Sequence, residues 1–192
     1  MIQYPNGTRK NASRPQQANT SRRGMTLESD INQTNESYLI YNKAVIHKKP
    51  TPIQVVHVDY PARNKAKIVE AYYRHASTTD YNGIYKGKYI DFEAKETKNR
   101  TIFPLALLHQ HQIDHLRSVL QHGAIAFLII RFTSLNETYL VYAQDIFEYI
   151  STHKSKSLPL PWIREIGTMV EETYHAPCDY LPIIDQRLKE NL

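Results

Sequence analysis

Asp80, Glu93 and Lys95 are the residues whose types and spacing could do chemistry: an Asp, twelve residues, then Glu-x-Lys. Two neighbouring carboxylates repel unless a cation lies between them, and a hard ion such as Mg²⁺ takes oxygen ligands of this kind. Such an ion polarises a phosphate and lowers the pKa of a bound water, while an ammonium group steadies the charge that develops. Those are the parts of phosphodiester hydrolysis. Taken alone the motif is weak, because Glu-x-Lys recurs by chance and a surface ion pair on an edge strand spells the same letters.

A hairpin must position the three. Residues 81–85 and 88–95 read as strands joined by a turn through Lys86-Gly87. Side chains alternate across a strand, so Tyr89, Asp91, Glu93 and Lys95 share one face while Ile90, Phe92 and Ala94 face the core. Glu93 and Lys95 then stand roughly 6.5 Å apart along the strand. Pairing of the two strands brings Asp80, at the opening of the first, close to Glu93.

The elements around the hairpin follow from periodicity and breakers. Leu27, Ile31, Thr34 and Tyr38 recur at helical spacing and predict a helix to about residue 41. Residues 44–47 read as a short strand, and 53–58 as a strand between Pro50, Pro52 and Pro61. Ala66, Val69 and Tyr73 suggest a short helix within 64–76. Residues 109–121 form a helix with Ile113, Leu116 and Leu120 inside and Gly123 as its cap. The unalternating apolar run 124–132 suits a strand buried on both faces. A strand at 138–143, a helix at 145–151 and helical stretches at 162–173 and 183–189 complete the order. The expected class is α/β, a mixed sheet flanked by helices.

Composition narrows the setting. Residues 1–100 hold 17 Lys/Arg against 9 Asp/Glu, whereas 101–192 hold 7 against 10. A basic half is the footprint of a polyanion partner, although a solvated basic face gives the same count. Residues 1–23 carry five basic residues, no acid and no apolar period. They read as a disordered basic arm ahead of a single domain at 24–192. The longest apolar run, 124–130, falls far short of the ~20 residues that span a bilayer. There is no secretory signal pattern, and the single cysteine, Cys178, excludes an internal disulfide framework. A reducing cytoplasm is the default compartment, with no membrane partner. His111 and His115 have the spacing of a zinc-protease helix, but Gln112 stands where its glutamate base would be.

Five blocks of the sequence resemble those of RecU Holliday junction resolvases. They are Arg23-Gly24-Met25-Thr26-Leu27-Glu28, His47-Lys48-Lys49-Pro50-Thr51-Pro52, Ser77-Thr78-Thr79-Asp80-Tyr81-Asn82-Gly83, Tyr89-Ile90-Asp91-Phe92-Glu93-Ala94-Lys95-Glu96-Thr97-Lys98 and His109-Gln110-His111-Gln112-Ile113-Asp114-His115. The likeness runs from about Arg23 to Phe132, and more weakly through 174–184. It implies a restriction-endonuclease-like core with a protruding stalk insertion at about 50–77. It also implies a homodimer that cuts four-way DNA junctions with Mg²⁺, Mn²⁺ substituting, and contact with RecA recombinase. Family metal contacts fall on Thr78, Asp80, Glu93 and Gln112, and the transition-state lysine on Lys95. Glu28 takes a supporting role, orienting a metal-bound water or a neighbouring base, where the residues alone suggest capping or surface charge. DNA contacts are expected at Arg22, Arg23, Lys48, Lys49, Arg63, Lys65, Lys67 and Arg74, with Tyr72 or Tyr73 stacking on an exposed base. Two rivals share the basic features: a junction-binding recombination regulator that does not cut, and a nuclease acting on plain duplex or flap DNA.

Overall fold

The computed structural model describes residues 26–62, 65–74 and 78–190. The basic arm at 1–23, with Arg22 and Arg23, and Arg63 lie outside the described residues. Helix α1 (Leu27–Ile40) opens on Thr26, whose hydroxyl accepts from the Ser29 N–H at 3.2 Å. Leu27, Ile31, Thr34 and Tyr38 form its buried stripe, as their spacing predicts. Strands β1 (Val45–Lys48), β2 (Ile53–Asp59), β3 (Lys67–Tyr73), β4 (Tyr81–Tyr85), β5 (Lys88–Thr97) and β6 (Ile102–Pro104) follow. Then come α2 (Gln110–Gln121), β7 (Ile125–Phe132), β8 (Glu137–Tyr142), α3 (Ala143–His153), β9 (Ser157–Pro159), α4 (Leu160–Ile166), β10 (Thr168–Met169) and α5 (Leu181–Glu190).

The main sheet has six strands in the order β1-β4-β5-β7-β8-β10. It is mixed, because β5 and β7 run parallel while the other neighbours are antiparallel. The β4–β5 turn has positive φ at both Lys86 (48°) and Gly87 (74°), the backbone that a two-residue hairpin of this twist requires. Strand β7 is covered on both sides. Phe127 and Ile129 join Leu27, Ile31, Ile90, Phe92 and Ile184 in one apolar cluster, while Ala126, Leu128 and Ile130 join Leu116, Ile146 and Ile163 in the other. Helices α1 and α5 thus line one face of the sheet, and α2, α3 and α4 the opposite one.

Two expectations need correction. The stretch 64–76 carries β3 rather than a helix, paired antiparallel with β2 from Ile53↔Tyr73 to Asp59↔Lys67. Its Ile68, Val69, Tyr72 and Tyr73 are β-branched or aromatic, types that favour a strand once a partner strand lies alongside. The helical spacing of Ala66, Val69 and Tyr73 is incidental. The stretch 162–173 holds the short α4 and then β10, because Gly167 and the pairing of Thr168 and Met169 with β8 end the helix early.

Candidate active site

Tyr81 and Phe92 are partners across the β4–β5 ladder, and both point into the core, where their rings stack at 4.8 Å. The Tyr81 hydroxyl also donates to Asn32 of α1 at 3.0 Å. One step along each strand the side chains turn to the other face, so Asp80 stands opposite Glu93. The contact is direct, the Asp80 N–H donating to Glu93 Oε2 at 3.1 Å. Lys95, two residues further on the same face, sets its Nζ 2.8 Å from Glu93 Oε1. Asp80, Glu93 and Lys95 therefore come together as the alternation predicts.

Glu93 is the unusual member. It has no solvent exposure, and its Oε1 meets the Lys95 ammonium. Burial pushes its carboxyl up to about 7, with the Asp80 carboxyl adding to the rise and Lys95 opposing it. One ammonium faces two neighbouring acids here, which leaves the pair short of positive charge. Hard oxygen donors from one or two carboxylates suit Mg²⁺, which keeps several of its waters. The donor set fits such an ion. Among the described residues no group of three or more His, Cys, Asp or Glu gathers into a richer cage.

The two neutral candidates stand on the segment before β4 and on α2. Thr78 precedes Asp80 by two residues, and its hydroxyl donates to the Thr79 carbonyl at 3.3 Å. Gln112 is buried on the first turn of α2 rather than exposed. Its Oε1 accepts from the His109 N–H at 3.0 Å, so it caps the helix. Neither residue hydrogen-bonds to Glu93. Glu28 pairs with Lys48 on the surface.

A second buried acid shares the site's face of β5. Asp91 has no exposure and accepts hydrogen bonds from several sides. Its Oδ2 takes Lys49 Nζ at 2.8 Å, the Tyr89 hydroxyl at 2.9 Å and His115 Nε2 at 3.0 Å, and its Oδ1 takes the Thr79 hydroxyl. Burial alone would push the Asp91 carboxyl up, yet the hydrogen bonds from Lys49, Thr79 and His115 outweigh it and hold it below its ordinary value. Sequence reading put Asp91 on the right face but assigned it nothing. The signal was its position in the same alternating row as Glu93.

The remaining basic and aromatic candidates sit on the β2–β3 ribbon, a two-stranded sheet of its own in which every β3 residue is exposed. Lys67 lies on it and Lys65 two residues before it, Arg74 Nε donates to Gln54 at 3.2 Å, and the Tyr72 hydroxyl donates to Glu70 at 2.6 Å. Tyr73 is 84% exposed. Lys49, by contrast, is turned inward, with only 17% of its side chain exposed. Cys178 is buried, and burial pushes its thiol up to about 12.

Comparison with known proteins identifies the family. The family model described as Recombination protein U matches residues 22–186. The Holliday junction resolvase RecU of Bacillus cereus (strain B4264) is 50% identical over 193 aligned residues, covering 96% of each chain. The proteins of that name from Bacillus thuringiensis (strain Al Hakam) and Bacillus anthracis (strain A0248) show the same 50% identity and 96% coverage. Among solved structures, Archaeoglobus fulgidus Hjc, a Holliday junction resolvase, aligns with a TM-score of 0.40 and 10% identity, covering 70% of this chain and 93% of that one.

Proposed function

The chain belongs to the Recombination protein U family, and from that premise we propose that it is a Holliday junction resolvase, a Mg²⁺-dependent endonuclease that separates four-way DNA junctions by paired, symmetric nicks in recombination and repair. One observation carries the reading. Glu93 is a wholly buried carboxylate with an ammonium 2.8 Å away and Asp80 beside it.

Asp80 and Glu93 would hold the Mg²⁺, with Thr78 and Gln112 adding neutral oxygens; Mn²⁺ has the same taste in donors. Bound there, the ion supplies Lewis-acid polarisation of the scissile phosphate and an acidified water. Lys95 supplies the remaining positive charge. Its ammonium, tethered on Glu93, is set to neutralise charge that builds on the phosphate oxygens. Glu28 is assigned the support of a water or base at the rim.

The β2–β3 ribbon is assigned the role of a stalk that enters the open centre of the junction. Lys65, Lys67 and Arg74 would meet phosphates there, Lys48 at the strand end nearby, and Tyr72 or Tyr73 would stack on an unpaired base. A junction has near-twofold symmetry, so two nicks in register call for two identical sites, and a C2 homodimer supplies them. Contact with RecA recombinase and action in the cytoplasm belong to the same reading. No helix among the described residues is long and apolar enough to cross a membrane.

The test is a synthetic four-way junction incubated with Mg²⁺ and either the wild type or Asp80→Asn. Paired nicks from the wild type alone are expected. Tight binding without cutting, in Mg²⁺ and in Mn²⁺, would instead identify a non-cutting junction binder. Equal cleavage of plain duplex would point to a general nuclease.

A further inference from the structure

Four separate elements bring the site together: the end of β1, the segment at 78–80, strand β5 and helix α2. One buried side chain touches all four. Asp91 lies on β5 two residues before Glu93. It accepts from Lys49, just past the end of β1, at 2.8 Å and from His115, on α2, at 3.0 Å. It also accepts from the hydroxyl of Thr79, which sits between Thr78 and Asp80.

Lys49 closes the arrangement a second time. Its Nζ donates to the Thr79 hydroxyl at 2.9 Å, and its backbone N–H donates to the Asp80 carbonyl at 2.7 Å. The segment carrying Asp80 is therefore held through the side chain of Thr79 and the carbonyl of Asp80. That leaves the Asp80 N–H to reach Glu93 Oε2 at 3.1 Å. On the other side, His115 stands one helical turn beyond Gln112, so the bond to Asp91 fixes the rotation of α2 that presents Gln112.

We propose that Asp91 is a positioning residue, whose carboxylate locks the 78–80 segment and helix α2 onto β5 so that Asp80 and Gln112 are held in place for a divalent ion at Glu93. It touches neither substrate nor ion. Charge explains why an acid is needed: only a carboxylate accepts from an ammonium, an imidazole and two hydroxyls at once. Residues that orient metal ligands in this way are worth about 10–100-fold in metal affinity or activity. The inference rests on the proposed function for the identity of the ion's chemistry, not for the existence of the network.

Two readouts separate the two claims. Mn²⁺ binding to the protein without DNA is followed by electron paramagnetic resonance, and junction cleavage is followed at rising Mg²⁺. Asp91→Ala should weaken Mn²⁺ binding about 10–100-fold and raise the Mg²⁺ needed for half-maximal cleavage by a like factor, while junction affinity stays within about twofold. Asp91→Asn keeps an acceptor for Thr79 and should recover part of the loss. Should Asp91→Ala fail to fold, Thr79→Val removes the hydroxyl that bridges Asp91 Oδ1 and Lys49 Nζ while leaving the Asp91 carboxylate in place, and it should shift Mn²⁺ affinity in the same direction. Unchanged Mn²⁺ binding in a folded Asp91→Ala, or in Thr79→Val where that variant stands in for it, would overturn the proposal, as would a wild type that binds no Mn²⁺. A wild type that binds Mn²⁺ yet leaves junctions uncut would sink the function and leave the role of Asp91 to be read from the metal titration.

Discussion

Glu93→Gln replaces the buried acid by a neutral side chain of the same shape, and it tests whether the carboxylate burdens the fold until a cation arrives. The carboxyl moves from an ordinary 4.5 up to about 7, chiefly through burial. At about 1.4 kcal/mol per unit, ionising it in the folded protein costs about 3 kcal/mol more than in the unfolded chain. A carboxyl raised on folding favours the folded state fully below pH 4.5, and that contribution is lost as the pH climbs through about 7. With a chelator present, the wild type should therefore lose about 3 kcal/mol relative to Glu93→Gln between about pH 4 and about pH 8. Urea unfolding of both proteins at each pH measures it, because the difference of differences cancels the other titrating groups. Mg²⁺ at about a hundred times its dissociation constant should return about 2.7 kcal/mol to the wild type at the higher pH. If the two pH profiles run parallel within about 0.5 kcal/mol, Lys95 already neutralises Glu93, and the physical case for a cation fails.

Lys95→Ala should bind junctions normally yet cut them about 10²–10³-fold more slowly, as expected for loss of one charge stabiliser; single-turnover cleavage beside a gel shift measures both, and an undiminished rate removes Lys95 from the chemistry. Tyr73→Ala, on the exposed ribbon, should leave the melting temperature alone and weaken junction binding by about 1–3 kcal/mol but duplex binding less; equal losses on both DNAs would end the stacking idea. Phe92→Ala empties the space where its ring stacks on Tyr81 at 4.8 Å and Phe127 at 4.7 Å, and should lower unfolding stability by about 3–5 kcal/mol. Gly83→Ala would put a Cβ 2.1 Å from the Val45 carbonyl oxygen and 2.5 Å from Ile46 Cα. Because neither backbone atom can give way cheaply, amide exchange along β1 should lose its protection, and retained protection would contradict the packing.

Local periodicity determined a good deal about this protein. The alternation through residues 88–95 put Ile90 and Phe92 in the core and Asp91, Glu93 and Lys95 on the opposite face, where they lie. The helical stripe of α1, the Lys86-Gly87 turn and the doubly covered β7 were equally legible, since each depends on a repeat or a backbone preference carried by adjacent residues. Where two local patterns compete, the sequence is silent. Ala66, Val69 and Tyr73 fit a helix, and only the pairing of β3 with β2 decides otherwise.

Tertiary structure alone decided the electrostatics. Basic charge reads Lys49 as a phosphate contact, but Asp91, 42 residues away in the chain, draws its ammonium inward. Gln112 lies outside the apolar stripe of its helix, yet it is buried and caps that helix. Whether Glu93 is a surface ion pair or a buried acid raised to about 7 depends on its burial in the folded sheet and on Asp80, thirteen positions earlier. Desolvation and charge pairing are set by neighbours in space, and those become neighbours only when the chain folds.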